Sequence, residues 1–132
     1  MYENLKKKYG QNFLIDKNVL NKISDLIQMP NLDILEIGPG DGKLTDYIIK
    51  KNPKNLSLIE IDNELVKNLV KKYSSHKNIR IENNDILDIE LNKIYDLVIS
   101  NLPYNISSQV IAQLSSSIFK PKMMVLMFQK EF

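Results

Sequence analysis

The sequence predicts a single α/β domain built around a mostly parallel β-sheet. Short apolar segments rich in β-branched residues alternate along the chain with helical stripes, and three of its four glycines, Gly38, Gly40 and Gly42, directly follow the first such segment. Strands that alternate with helices typically form a parallel sheet with both faces covered. The chain has 132 residues, of which 43% are hydrophobic, as expected for one globular domain.

The predicted elements follow one another in a regular order. The apolar periodicity predicts, in chain order, a helix over residues 18–28 with Asp16 as its cap, a strand over 33–37, a helix containing Leu44, Tyr47 and Ile48, a strand over 56–60, a helix over 65–73, a strand over 79–81, a strand over 95–100, a helix over 107–114 capped by Ser107, and a strand over 123–128. This order gives about five strands, and residues 1–10 are the one candidate for a flexible arm.

The composition excludes several classes of protein. The chain has no cysteine, which rules out disulfides, thiolate zinc sites and cysteine nucleophiles, and we predict no metal site. No apolar run approaches the ~20 residues of a membrane span, so we expect a cytoplasmic protein without a membrane partner. The net charge of +2 is too small to indicate a nucleic-acid partner by itself.

The glycine cluster lies where the first strand turns into the next helix. It reads Glu36-Ile37-Gly38-Pro39-Gly40-Asp41-Gly42, and glycines at this point allow a sharp turn and a close approach of ligand to backbone. The spacing differs from the G-x-G-x-x-G of dinucleotide sites, and Asp41 would repel a pyrophosphate at the helix terminus. The loop therefore favours a ligand with a positive centre and no phosphates, the alternative being a plain turn.

Acidic and amide side chains follow the next two strands. Glu60 ends the second strand, 18 residues after Gly42, where a carboxylate accepts hydrogen bonds from ribose hydroxyls in nucleotide-binding α/β folds. The alternative for Glu60 is a helix cap, a position for which Asp62 competes. Residues 83–85, Asn-Asn-Asp, follow the third strand and either bind an adenine edge or form a turn.

A fourth motif, Asn101-Leu102-Pro103-Tyr104, follows the apolar strand 97–99. Pro103 fixes its own φ and biases Leu102 toward an extended conformation, so the segment is stiff. The Asn101 side-chain oxygen and a backbone carbonyl can then both accept hydrogen bonds from one exocyclic amine, while Tyr104 offers a ring face to a base. The alternative is a proline turn with Tyr104 in the core.

These motifs, in this order, resemble the class I S-adenosylmethionine-dependent methyltransferases, which have a Rossmann-like three-layer sandwich. More narrowly, the chain resembles the small-subunit ribosomal RNA adenine N6,N6-dimethyltransferases. The segments that carry the resemblance are Tyr9-Gly10-Gln11-Asn12-Phe13-Leu14, residues 36–42, Ile59-Glu60-Ile61-Asp62, Asn84-Asp85-Ile86-Leu87, residues 101–108, and Gln129-Lys130-Glu131. They span almost the whole chain.

The resemblance implies a role for individual residues. S-adenosylmethionine is the implied cofactor. The implied contacts are Asn12 and Leu14 closing over it, Gly38 at its methionine portion, Glu60 at its ribose, Asp85 at its adenine amine and Asn101 beside the transferred methyl group, and Gly40 is a further implied cofactor-binding residue. Asn101, Leu102, Pro103 and Tyr104 are the implied catalytic segment. The implied substrate is small-subunit ribosomal RNA in the immature small ribosomal subunit.

Two further classes stay open. A related branch methylates large-subunit ribosomal RNA and confers macrolide resistance, although Pro39 and Leu102 look more like the small-subunit enzymes. A module that binds S-adenosylmethionine or RNA without turnover is the second alternative, and the loop spacing argues against a nicotinamide-dependent oxidoreductase.

The resemblance also implies that the chain is only part of a domain. The family's catalytic domain continues beyond a fifth strand and is followed by a small helical domain, so residues 1–132 are expected to be the N-terminal part of a cofactor-binding methyltransferase domain. A full-length protein is expected to be a monomer. In the shorter chain, the apolar strand over residues 123–128 is expected near an unprotected edge, where it favours association and lowers activity.

Overall fold

The computed structural model describes residues 17–129 of the chain. The helices are α1 (Lys17–Leu26), α2 (Lys43–Ile49), α3 (Asn63–Lys72) and α4 (Tyr104–Ser115), with a short 3₁₀ turn at Ile86–Asp88. The strands are β1 (Asp33–Ile37), β2 (Asn55–Glu60), β3 (Ile79–Asn83), β4 (Leu97–Pro103) and β5 (Met124–Gln129). Within the described part of the chain, no helix is long and apolar enough to cross a membrane.

The five strands form one sheet in the order β3-β2-β1-β4-β5, and every neighbouring pair is parallel. The predicted α/β fold with a parallel sheet is therefore confirmed. The chain runs from β1 to β2 in one direction along the sheet and from β4 to β5 in the other, so the strand order reverses between β1 and β4. In such sheets, ligands bind at the carboxyl ends of the strands, in the crevice where the strand order reverses.

Two apolar cores cover the two faces of the sheet. The first core packs α1, α2 and α3 against one face, and its fully buried members include Ile34, Leu56 and Ile99. The second packs α4 and the 3₁₀ turn against the other face, around Leu35 and Val98. Alternate residues of each strand serve alternate faces, which explains why the central strands read as continuous apolar runs rather than alternating ones.

The last helix begins earlier than its sequence predicts. It starts at Tyr104 instead of Ser107, because β4 continues to Pro103, whose φ of −55° leads directly into a helical turn. Ser107 does not cap the helix: it lies buried in the first turns, and its hydroxyl donates to the Leu102 carbonyl over 3.3 Å. Asp16, the predicted cap of the first helix, lies outside the described residues.

Helix α3 has a side-chain cap. The Asp62 Oδ1 accepts hydrogen bonds from the backbone N–H groups of Glu64, at 2.9 Å, and Leu65, at 3.3 Å. We expect Asp62→Ala to lower the free energy of unfolding by about 1 kcal/mol, because two N–H groups lose their acceptor. Urea denaturation followed by circular dichroism measures this change. Asp62→Asn is the matched control, since it keeps an acceptor oxygen; an equal loss in both variants would contradict a capping role.

Candidate active site

The carboxyl ends of β1 to β4 surround one cleft. The residues lining it include Gly38, Glu60, Asn84, Asp85, Leu102 and Ile106. They come from the loop after β1, the end of β2, the loop after β3, the end of β4 and the start of α4. The sheet thus brings Gly38, Glu60, Asp85 and Leu102 together, although up to 64 residues separate them along the chain.

The glycine loop requires its glycines. Gly38, Gly40 and Gly42 have φ values of 70°, 62° and 91°, in the left-handed region that side chains with a Cβ rarely adopt. A Cβ on Gly38 would lie 2.7 Å from the Leu102 Cδ2, so any side chain at this position would force the Leu102 side chain to move. The predicted sharp turn is confirmed, and it leaves the Gly38 backbone on the cleft wall.

Glu60 is buried under the glycine loop, with only 3% of its surface exposed. Its Oε1 accepts from the Gly40 N–H and its Oε2 from the Asp62 N–H, each over 3.0 Å. Burial raises the pKa of Glu60 and outweighs these hydrogen bonds, which lower it. Asp62 is therefore the residue that caps α3, and the alternative of Glu60 as the cap is wrong. Glu60 connects the glycine loop to the end of β2.

The polar residues at the end of β3 have different roles: Asn83 makes structural hydrogen bonds, and Asp85 lines the cleft. Asn83 Nδ2 donates to the carbonyls of Glu60, at 3.0 Å, and Ile61, at 3.2 Å, and so ties the ends of β2 and β3 together. Asp85 accepts from the Leu87 N–H through Oδ1 at 3.0 Å, capping the 3₁₀ turn. Its Oδ2 accepts no hydrogen bond from residues 17–129, so Asp85 lines the cleft with an acceptor available to a ligand.

The end of β4 forms the opposite wall. Asn101 is half-buried and pairs in register with Met127 of β5. By strand alternation, it belongs to the same face as Ile99, while Leu102 packs into the second core. Tyr104 is 61% exposed at the first position of α4, so the alternative in which Tyr104 packs in the core is wrong. Asn12 and Leu14 lie outside the described residues.

Sequence reasoning did not identify a buried carboxyl directly behind the glycine loop. Glu36 is 2% exposed, and the Thr45 hydroxyl donates to its Oε1 over 2.5 Å. Burial, with a smaller contribution from the nearby charge of Glu60, raises the pKa of Glu36 to about 8. Glu36 is therefore predominantly protonated at neutral pH. Its place in the glycine motif was visible in the sequence, but the absence of a cationic partner for it within residues 17–129 was not.

A second unpredicted contact supports the loop from the end of α3. The Tyr73 hydroxyl donates to Asp46 Oδ1 over 2.7 Å and lies 3.1 Å from the Gly42 carbonyl oxygen. The neighbouring Lys72 ammonium donates to the Asp41 carbonyl over 3.2 Å and pairs with Asp46 Oδ2 over 3.0 Å. A Cβ on Gly42 would overlap the Tyr73 hydroxyl. The end of α3 therefore fixes the conformation of the loop.

Comparison with known proteins decides the family. Residues 2–132 match the family model described as ribosomal RNA adenine dimethylase. The chain belongs to this family. Two curated relatives named ribosomal RNA small subunit methyltransferase A are each 44% identical to it: the one from Pelagibacter ubique over 99% of the chain and 52% of its own length, and the one from Coxiella burnetii over 96% and 51%.

Solved structures agree with this family assignment. A dimethyladenosine transferase from Plasmodium falciparum superposes with a TM-score of 0.74 at 33% identity, covering 91% of this chain and 43% of that one. The 23S rRNA methyltransferase ErmE superposes with a TM-score of 0.72 at 30% identity, covering 87% and 48%. The chain spans about half the length of the curated relatives it matches. That residues 1–132 form the N-terminal part of a cofactor-binding domain stays a prediction.

Proposed function

We propose that the protein uses S-adenosylmethionine to dimethylate adenine N6 in small-subunit ribosomal RNA during the assembly of the small ribosomal subunit in the cytoplasm. The observation that carries this proposal is the cleft whose lining brings Gly38, Glu60, Asp85 and Leu102 together. Asn101 directly precedes Leu102 on β4. Membership of the adenine dimethylase family supports the reaction type. The names of the curated relatives support the small subunit as the source of the RNA.

The residues of the cleft fit this cofactor. Gly38 lines the cleft and has no side chain, so its backbone is available to the methionine portion of the cofactor, while the Gly40 N–H holds Glu60. Glu60, which lines the cleft while holding the Gly40 and Asp62 N–H groups, is the proposed acceptor for the ribose hydroxyls through its remaining lone pairs. The Asp85 Oδ2 is the proposed acceptor for the adenine amine. The carboxylates suit a cation and disfavour a pyrophosphate. When bound, S-adenosylmethionine supplies an electrophilic methyl group on a positively charged sulfur.

The catalytic role of this chain is to orient a weak nucleophile. The lone pair of an adenine amine is delocalised into the ring, so acceptors that hold both amine hydrogens favour a pyramidal nitrogen. The Asn101 side-chain oxygen and the Leu102 carbonyl are the proposed acceptors, and the Ser107 hydroxyl already fixes the Leu102 carbonyl. Pro103 stiffens the segment, and exposed Tyr104 offers a stacking surface to an adenine extruded from the RNA.

Calorimetric titration with S-adenosylmethionine tests the cofactor site. We expect the wild-type chain to bind it and Asp85→Ala to bind roughly tenfold more weakly, since one hydrogen bond to a polar edge contributes about 1.5 kcal/mol. Asp88→Ala is the matched control, because Asp88 is exposed in the same 3₁₀ turn. Equal losses in both variants would contradict the proposed role of Asp85. Binding of NAD in place of S-adenosylmethionine would favour an oxidoreductase.

Transfer of labelled methyl groups from S-adenosylmethionine tests the reaction itself. We expect incorporation into small ribosomal subunits that lack the modification. Incorporation into large-subunit RNA instead would support the second candidate, a macrolide-resistance type of activity, which the likeness to ErmE favours. The higher identity to small-subunit enzymes, 44% against 30%, supports the first candidate. Cofactor binding without any transfer would favour a binding module.

Tyr73→Phe tests whether the end of α3 supports the cofactor loop. The change removes the hydroxyl that donates to Asp46 while keeping the ring in the core. We expect a severalfold loss of affinity for S-adenosylmethionine, together with about 1 kcal/mol of stability. Calorimetry and urea denaturation measure the two effects. Tyr47→Phe is the control, because Tyr47 is half-buried on α2 and its hydroxyl makes no hydrogen bond within residues 17–129. Unchanged affinity in Tyr73→Phe would exclude this role.

A further inference from the structure

A second cavity lies at the opposite end of the sheet from the active-site cleft. It has a volume of about 410 Å³ and opens beside the amino ends of β2 and β3. Its polar lining, here called the basic groove, consists of Asn55, Ser57, Lys77, Asn78, Arg80 and Lys93. Ser57 and Arg80 lie opposite each other in the β2–β3 register. The central strands of the sheet carry apolar residues that helices cover. At this end of β2 and β3, polar residues face the groove instead.

The basic groove presents three cations and no carboxylate. Within residues 17–129, neither Lys77 nor Arg80 forms an ion pair, and both are exposed. Lys93 lies 3.5 Å from Asp33 Oδ1 and 5.0 Å from the centre of the Tyr95 ring, which hold its ammonium at the rim. Asp33 Oδ1 also accepts from Asn55. The cationic groups that remain uncompensated are those of Lys77 and Arg80, and they suit an anionic ligand.

The distribution of charge along the strands favours a polyanion that spans both ends of the sheet. The active-site cleft is lined by the acids Glu60 and Asp85 and, among the described residues, by no basic one, which disfavours phosphates there. A six-residue strand such as β2 spans ~20 Å, close to the width of a nucleic-acid duplex. Phosphate contacts supply most of the affinity for nucleic acids. Because the cleft is acidic, an RNA whose target adenine enters it must be held by its backbone at another part of the surface.

We propose that the basic groove binds the phosphate backbone of the RNA substrate, at a site separate from the catalytic cleft. Lys77 and Arg80 contact the phosphates, and the Lys93–Asp33 pair fixes the rim. Guanidinium and ammonium groups recognise phosphate without reading sequence. The groove therefore positions the RNA and does not select the adenine. This proposal rests on the proposed function, because it takes RNA as the substrate.

Fluorescence anisotropy with a labelled RNA hairpin, measured over a series of salt concentrations, tests the proposal. We expect the double variant Lys77→Gln/Arg80→Gln to raise the Kd for RNA at least about fivefold at low salt. The slope of log Kd against log salt should also fall by about 0.9 for each phosphate that is no longer neutralised. Lys67→Gln/Lys71→Gln is the matched control: it removes two exposed lysines of α3 that lie outside the groove. This control should leave affinity and slope unchanged.

Equal effects of the two double variants, or no binding of RNA by the wild-type chain, would overturn the proposal. Titration with inorganic phosphate is the second arm. Phosphate binding that only the groove variant abolishes, with RNA affinity unaltered, would assign the groove to a free anion and also overturn it. Both double variants should bind S-adenosylmethionine as the wild type does. Unchanged RNA affinity in the groove variant, with S-adenosylmethionine still bound, would overturn the groove alone, whereas a wild-type chain that binds no S-adenosylmethionine would overturn the proposed function.

Discussion

Replacement of Asn101 by alanine should reduce the rate of methyl transfer by roughly 10²- to 10³-fold, the usual consequence of removing one precisely placed polar group from an active site. Asn101 lies near the end of β4, in register with Met127, and directly precedes Leu102, which lines the cleft. It is the proposed acceptor for one hydrogen of the adenine amine. Without it, the amine keeps its planar geometry and its lone pair is no longer aimed at the methyl group.

The affinity for S-adenosylmethionine separates this effect from a general disturbance of the site. We expect Asn101→Ala to keep the cofactor Kd within about threefold of wild type, because the proposed hydrogen bond is made to the substrate and contributes mainly in the transition state. Asn105→Ala is the matched control: Asn105 is exposed in the first turn of α4, and its alanine variant should transfer methyl groups normally. A rate within a few fold of wild type in Asn101→Ala would contradict the catalytic assignment.

The sequence was sufficient for the sheet because the signals that build it are local. β1, β2, β4 and β5 contain short apolar runs, and β3 alternates Ile79 and Ile81 with charged residues. Parallel pairing follows from the alternation of these strands with helices. The left-handed conformations of Gly38, Gly40 and Gly42 likewise follow from glycines at a strand-to-helix turn. The confirmed parts of the prediction therefore rest on properties of neighbouring residues.

The parts that could not be predicted depend on contacts between distant residues. Ser107 has the composition of a cap, yet the helix already begins after Pro103 and the Ser107 hydroxyl bonds to the Leu102 carbonyl instead. Tyr73 lies 31 residues from Gly42, so nothing near either one in the sequence indicates their contact. The basic groove is missed for the same reason, because Lys77 and Lys93 are brought together only by the sheet.

The burial of Glu36 makes the stability of the protein depend on pH. Its pKa is raised from 4.5 to about 8 by burial, with Thr45 as its hydrogen-bond donor and with Glu60, Asp46 and Asp41 contributing negative charge nearby. Between these two values the folded protein holds a proton that the unfolded chain has released. The free energy of unfolding should therefore fall as pH rises, by roughly 1.4 kcal/mol per pH unit from this group, and level off above about pH 8.

Glu36→Gln should remove this contribution, because a neutral amide neither ionises on unfolding nor loses the Thr45 hydroxyl as a donor. Urea denaturation from about pH 5 to about pH 8 should show a clearly shallower decline in the variant than in the wild type, and the variant should be the more stable of the two at the upper end of the range. The raised pKa of Glu60 acts in the same direction, so part of the decline persists in the variant. Glu82→Gln, at an exposed position of β3, should keep the wild-type decline. Parallel curves for wild type and Glu36→Gln would mean that Glu36 ionises in the folded protein as readily as it does in the unfolded chain.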